Sequence, residues 1–553
     1  MKLKGLNKRA HNVLFHTHTV SGIAISFALF VIFYAGAFSL FRDEIGQWEN
    51  PDMQQLLVEE VNLDQAVALV DSAYQLNYYQ TTSLVLPTKE RPVLYVYGAY
   101  HNTDTTTQRL ATYLSPIDHQ IHDIRAPKTT VGDTLYHLHY FDQIPLIGLY
   151  LSGLVALFFL FATITGLLIH WKNLITKFYA FITAGSNWKK IWINAHIVFG
   201  LIGLPFQVIY AITGAFFGLL TLILLPGVFL LYDGDSSKVF AKAQPYRAIS
   251  LAQDAPDADH LSLDVLADQV QSSYPDYHIR TVQLRNYSKD DGVASWYLND
   301  RQNLAGSGVI TMSLKDGALL EEYSVLPQHK TYSNKVIDYI AQLHFGTFGG
   351  PMVRIMYFVL AMITCFMIIS GVLIWRTARD NKKYNHKQRL FHHRVTKVYL
   401  AICLSMFPAF AIIFMANKLV PMELDGRVGI VNIIFFSSWL LLTVVGLFWN
   451  KYAQQNRNYL LMGGLLSLTI PLLNGLMADA WVWKMIEPYP AVAYVDLFWL
   501  FTGLAALYVS IFLLKVKTAS DKPEAPQLQE PVAEKVPAKA SPSILGFFKL
   551  NRS

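Results

Sequence analysis

Cysteine is nearly absent, with only Cys365 and Cys403 in a chain of 553 residues. Both fall inside apolar runs, which excludes a disulfide framework and leaves them as small buried side chains. A zinc site built on His137 and His139 would lack partner cysteines and a nearby acidic ligand pattern. No G-x-G-x-x-G opens a dinucleotide-binding unit, and no connection on the basic side is large enough to be one. Polar residues are also scarce inside the apolar runs, Gln207 being a rare example. That scarcity argues against a permeation path through the middle of the membrane.

Hydrophobic residues are abundant, at 53% of the chain, and the mean hydropathy is +0.30. Eight apolar stretches are each long enough to span a bilayer. They lie near 20–41, 144–170, 196–222, 352–375, 398–415, 431–449, 460–477 and 497–514. The third stays apolar to Tyr232, and Pro226-Gly227 is expected to break it beyond the membrane. Lys2, Lys4, Lys8 and Arg9 precede the first span, and Lys172, Lys177, Lys189 and Lys190 separate the second and third. Arg376, Arg379, Lys382, Lys383, Lys387, Arg389, Arg394 and Lys397 separate the fourth and fifth. These basic connections alternate to one side, so both termini are expected in the cytoplasm. The net charge of +6 is then a topology signal, which leaves no role for nucleic acid. A basic start and Ala35-Gly36-Ala37 have the form of a cleaved signal peptide. An internal copy of that layout at His196–Gly214 speaks for a retained span instead.

A polar segment of about a hundred residues separates spans one and two, and another separates spans three and four. Leu63, Asp64, Val70, Ser72 and Tyr74 recur as Leu263, Asp264, Val270, Ser272 and Tyr274. Each segment reads as an amphipathic helix (63–74 and 263–274) followed by strands such as 82–86 and 280–284. Asp118 and Asp316-Gly317 read as hairpin turns. The expected fold is a polytopic α-helical membrane protein with two small α+β periplasmic domains and an internal tandem duplication. The first repeat covers 1–175, with its outer domain at about 42–135, and the second covers 190–380, with its domain at about 233–338. Four further spans occupy 397–515, and residues 518–553 read as a disordered cytoplasmic tail.

Histidines mark the two copies. His18 precedes Gly22 and Gly36 as His196 precedes Gly200 and Gly214, and His139 precedes Gly166 as His344 precedes Gly371. A lone histidine at a membrane edge is usually a polar side chain at headgroup level, and duplication copies structural residues too. Four at repeated spacings suggest haem ligation, since histidine is a standard axial ligand. Symmetry across the repeat predicts His18 facing His196 on the cytoplasmic side and His139 facing His344 on the outer side. Two stacked haems would then carry electrons across the bilayer. Gly22 and Gly200, one turn beyond His18 and His196, would let a flat macrocycle approach the backbone. His170 competes for the inner layer, although Trp375 takes its place in the second copy; His16, His137 and His393 are further reserves.

His18-Thr-Val-Ser-Gly22 with Gly36, and His196-Ile-Val-Phe-Gly200 with Ile212-Thr213-Gly214, resemble the PepSY-associated transmembrane helix family. The most specific piece is Leu343-His344-Phe345-Gly346-Thr347-Phe348-Gly349-Gly350, similar to that family's LHFG-x-x-GG signature. The first copy departs from it, reading Leu138-His139-Tyr140-Phe141-Asp142. The likeness covers roughly residues 8–380, and the outer segments are similar to PepSY domains. It implies a bacterial inner-membrane ferric-siderophore reductase with b-type haem, serving iron-regulated uptake. Its electron donor would be a cytosolic flavin reductase docking on the basic fourth-to-fifth connection, or membrane quinol. Two other readings compete: a siderophore permease without haem, and a PepSY-type regulatory protein on a passive membrane anchor. The second leaves the histidine pattern unexplained.

Overall fold

Without water, a backbone in the membrane must satisfy its own hydrogen bonds, and the apolar runs of the computed structural model are accordingly helical. The structure describes residues 7–49, 61–88, 93–101, 107–114, 121–123, 131–179, 188–235, 238, 245–252, 254–300, 307–323, 325, 330–422, 424–449, 451–487 and 490–515. The expected turn at Asp118 and the tail from 518 lie outside them.

The chain opens with α1 (Lys8–Ser39) and α2 (Arg42–Glu49), then α3 (Leu63–Tyr74) and strands β1 (Thr82–Val85), β2 (Leu94–His101), β3 (Thr107–Leu114) and β4 (Ile121–Asp123). Helices α4 (Val131–His139), α5 (Gly148–His170) and α6 (Leu174–Phe178) close the first half. The second half repeats the order with α7 (Trp188–Ile202), α8 (Leu204–Leu231) and α9 (Leu263–Ser273). Strands β5 (Tyr277–Arg285), β6 (Val293–Asp300), β7 (Ser307–Ser313) and β8 (Leu319–Tyr323) follow, then α10 (Tyr332–Phe345) and α11 (Gly350–Arg379). The remainder is helical: α12 (His386–Leu419), α13 (Arg427–Gly446), α14 (Tyr452–Ala478), α15 (Val482–Met485) and α16 (Pro490–Lys515). Among the described residues eight helices are long and apolar enough to cross a membrane, the number expected. The chain divides into a unit ending at Ser510 and one beginning at Ile511, of which residues 511–515 complete α16.

Two expectations for the third span need correction. His196 does not open that span but sits on α7, because the helix breaks at Gly203. Pro205 cannot donate to the preceding turn, and a Cβ on Gly203 would lie 2.6 Å from Gln207 Nε2. Pro226-Gly227 does not end α8, which runs on to Leu231. A proline removes one backbone hydrogen bond, a defect that membrane helices tolerate. Helices α5 and α8 cross where Gly153 meets Gly218; a Cβ on Gly218 would come within 2.5 Å of the Gly153 backbone.

The two inserted segments do not form two separate domains. Their strands join into one eight-stranded sheet of order β4-β3-β2-β1-β5-β6-β7-β8, antiparallel throughout, a palindrome about the β1–β5 junction. There Ser83 pairs with Gln283 and Leu84 with Val282. Each half alone would leave β1 or β5 as an unpaired edge, and pairing the edges removes both. Helices α3 and α9 cover one face, burying Val67, Val70, Leu266 and Val270 against Leu84, Val282, Leu284 and Trp296. Their N-termini meet and cap each other. Asp264 Oδ1 accepts from Leu63 N at 2.8 Å, and Asp64 Oδ1 accepts from Leu263 N at 2.9 Å. Both cysteines are buried free thiols, as expected.

Candidate functional site

Helix α1 carries His18 and α7 carries His196, and the two rings stand 6.2 Å apart between centroids at 72°. His139 ends α4 and His344 lies in the last turn of α10; their centroids are 6.3 Å apart at 36°. The structure therefore brings together both pairs anticipated from the repeat. A plain ring stack would be closer. An imidazole–metal–imidazole axis needs two bonds of about 2 Å plus half a ring width of about 1 Å on each side, roughly 6 Å in all. Both pairs fit that span.

Hydrogen bonds fix the tautomer. His18 Nδ1 lies 2.8 Å from Ala162 O, and His196 Nδ1 lies 3.0 Å from Met367 O. A carbonyl only accepts, so each Nδ1 carries the proton and each Nε2 keeps its lone pair. His139 Nδ1 meets Tyr136 O at 2.9 Å with the same consequence. His344 Nδ1 lies 2.9 Å from Thr213 Oγ1, whose own proton goes to Ile209 O at 2.8 Å. The threonine must accept, so His344 is also protonated at Nδ1. All four Nε2 atoms are available as ligands, and among the described residues none has a hydrogen-bond partner. At the His139–His344 pair, burial lowers the pKa of both imidazoles, His344 to about 3, which keeps the ring neutral and able to bind a metal.

Close packing holds the His18 and His196 rings. A Cβ on Gly166 would stand 3.0 Å from His18 Cε1, and one on Gly371 would stand 3.1 Å from His196 Cε1. These glycines share a spacing with His139 and His344 in the chain but serve the other pair in space. Gly36 adjoins His139, where a Cβ would sit 3.6 Å from Cδ2. The space beside Gly22 is open, and a Cβ on Gly200 would lie 3.5 Å from Met367 Sδ. Around His344 stand Tyr210 and Phe217, with centroids at 5.3 and 5.0 Å, and Tyr210 OH donates to its carbonyl at 2.9 Å.

The reserve histidines belong to neither ring pair. His16 is exposed, and His137 Nδ1 is engaged with Asp142 Oδ2 at 2.8 Å and Tyr140 OH at 2.7 Å. His393 Nδ1 meets Tyr452 OH at 2.7 Å, between α12 and α14. His170 is half-buried at the end of α5, while the ring facing His18 is that of His196. Among the described residues no three His, Cys, Asp or Glu side chains converge as a metal cluster, so a zinc site at His137 and His139 finds no support.

The family model for the PepSY-associated TM region matches residues 15–378, well over half of the chain. The chain belongs to that family. No curated protein matches it. All four paired histidines of this PepSY-associated protein lie within the matched region, and helices α12–α16 lie beyond it. What sequence reading missed is the set of atoms that orient the rings: Ala162 O, Met367 O, Tyr136 O and Thr213 Oγ1. The first three are backbone carbonyls and leave no compositional mark.

Proposed function

We propose that this PepSY-associated protein is a dihaem, b-type oxidoreductase of the bacterial inner membrane. In this reading it passes electrons outward and reduces ferric siderophores in the periplasm, releasing Fe(II). The observation that carries the proposal is the geometry of the two histidine pairs. Both have a separation suited to one metal between them, and each Nδ1 is held so that Nε2 is left to bind.

His18 and His196 would hold the cytoplasmic-side haem, and His139 and His344 the outer one. Bound there, each haem supplies a one-electron redox centre. The carbonyl and threonine partners of Nδ1 fix ring rotation and raise ligand basicity. Tyr210 and Phe217 shield His344 from water. Reduction of the substrate iron weakens its bonds to hard oxygen ligands. The donor is a cytosolic flavin reductase on the basic connection between α11 and α12, or quinol from the membrane. Matching halves with matching histidine contacts support a tandem duplication, and the charge of the loops supports cytoplasmic termini.

The test is an absorbance spectrum of the purified protein before and after dithionite. We expect a reduced α-band of b-type haem, with His139→Ala or His344→Ala removing one haem and His18→Ala or His196→Ala the other. A protein with no such band would be the outcome expected of the haem-free permease or the regulatory reading, and it would overturn ours.

A further inference from the structure

A cavity of about 340 Å³ opens on the sheet face opposite α3 and α9. Along β1 and β5, alternate residues point to opposite faces. Leu84, Val282 and Leu284 go to the helices, so Ser83 and Gln283 face the other way. Register places Ser83 opposite Gln283 and Gln283 opposite Ser295, a polar row across three strands. The short turn Pro245–Arg247 borders this row. Arg285 clamps it there: Nη2 donates to Tyr246 O at 2.9 Å, and Nη1 to Arg247 O and Ile249 O at 3.3 Å each. The clamp leaves the Arg247 side chain in the cavity wall.

The lining is rich in donors. Tyr297 OH donates to Gln283 Oε1 at 2.7 Å, so the amide N–H groups of Gln283 remain to donate elsewhere. Two guanidinium groups and the hydroxyls of Thr81 and Ser83 complete the set, and among the described residues no carboxylate lines the cavity. The two neighbouring cations repel each other, and the Tyr246 and Tyr297 hydroxyls engage Arg247. Burial, with the Arg247 charge adding to it, pulls the Arg285 guanidinium below its ordinary value. The charge also belongs to one half of the sheet only, since Val85 occupies the position in β1 that matches Arg285 at an offset of two hundred. The strand is repeated, but the arginine is not.

We infer that this cavity binds a small, multiply charged oxyanion, a polycarboxylate or a phosphate-bearing molecule, held by Arg247 and Arg285 over the Ser83–Gln283–Ser295 row. Guanidinium forks match carboxylate and phosphate oxygens in geometry. The volume stands at the small end of ligand pockets. No haem is required, so this site stands or falls separately from the redox reading.

Isothermal titration of the full chain in detergent, with citrate in one series and inorganic phosphate in another, tests it. We expect saturable binding that weakens as salt is added, and the stronger titrant identifies the class. Loss of one charged hydrogen-bonding group should weaken binding about ten- to hundredfold, so Arg247→Gln should show that loss. Arg247→Lys, which keeps the charge without the fork, should fall between. Arg247→Gln leaves intact the backbone carbonyl that Arg285 grips. Should that variant fail to fold, Thr81→Asp at an exposed position puts a carboxylate at the rim and should abolish binding. No binding of either anion, or equal affinity in a folded variant and the parent, overturns the proposal.

Discussion

Helices α4 and α10 carry equivalent histidines, yet they are held in different ways. Glu49 Oε1 accepts from the backbone N–H groups of Val131 and Gly132, at the start of α4. Thr134 Oγ1 donates to Asn432 of α13 at 2.5 Å, and Arg42 pairs with Asp133. Beside them, Trp48 Nε1 donates to the buried Asp496 of α16 at 2.7 Å, and Lys418 of α12 donates to Trp48 O at 2.6 Å. On helix α10, Tyr332, Ile337, Tyr339 and Phe345 are exposed. It is tied by Asp338 to Lys330 at 3.1 Å, Ser307 Oγ to Asp338 Oδ1 at 2.5 Å, Tyr323 OH to Asn334 Oδ1 at 3.0 Å, Tyr210 OH to His344 O at 2.9 Å and His344 Nδ1 to Thr213 Oγ1 at 2.9 Å. Among the described residues, the helices beyond the family match thus brace the His139 wall of the pair, while the bonds on α10 come from within the matched region. Their contacts support His139.

Breaking the brace should have the largest effect. Asp496→Ala would strand the Trp48 and Asn474 donors, both of which now bond to it, in a buried site. Removing one member of such a buried charged network costs about 3–5 kcal/mol. Thermal unfolding in detergent should show this, and a loss below about 1 kcal/mol, typical of an exposed pair, would refute the bracing role. The matching cut at α10 should cost less. Asp338→Asn weakens the pairing of Lys330, which keeps its bond to Ser307 O at 2.7 Å, so about 1–3 kcal/mol is expected. If Asp338→Asn proves more damaging than Asp496→Ala, the comparison between the two walls is wrong.

At the His18–His196 pair the halves should respond alike. Gly166→Val and Gly371→Val each drive a branched side chain into an imidazole that a single Cβ already approaches at 3.0 or 3.1 Å. Overpacking of this kind costs about 1–3 kcal/mol. On the dihaem proposal, both variants should lose the haem of the His18–His196 pair while the α-band of the other persists. Loss from one variant only would show that the two histidines are not equivalent in support.

Much of this was legible beforehand, and the exceptions share a cause. The eight spans, the helices from Leu63 and Leu263, and the turn at Asp316-Gly317 follow from local period and composition; Gly317 has φ +70° and Ala318 N donates to Asp316 Oδ1 at 3.1 Å. The pairing of histidines followed from repeat symmetry. The contacts of Gly166 and Gly371 did not, because spacing along a chain records element length and not the neighbour across a helix interface. The single sheet was hidden for the same reason, since β1 and β5 meet across about two hundred residues. Local signals also misplaced the break in the third span, where Gly203 and Pro205 act together and Pro226 does not.

The smallest effect should appear where the halves look most symmetric. Asp64 and Asp264 cap each other's helices, but they do not titrate alike. Burial pushes the Asp64 carboxyl up, yet hydrogen bonds from Ser262, Leu263 N and Asp264 N outweigh it, so its pKa is lowered. Burial raises that of Asp264, and the neighbouring Asp64 charge adds to it. A lowered carboxyl contributes stability above its unfolded pKa and loses it as pH falls through the folded value. A raised one contributes below its unfolded pKa and loses that as pH rises through the folded value. The two opposed terms should leave a shallow acid dependence in the parent. Asp64→Asn loses one charged acceptor and should cost about 1 kcal/mol near pH 7, like a lost helix cap. Asp264→Asn keeps an oxygen for Leu63 N, removes the repulsion, and should be neutral or mildly stabilising at that pH. Melting curves of the two variants at pH 7 and pH 4 separate these outcomes, and equal losses at pH 7 would mean the caps are equivalent after all.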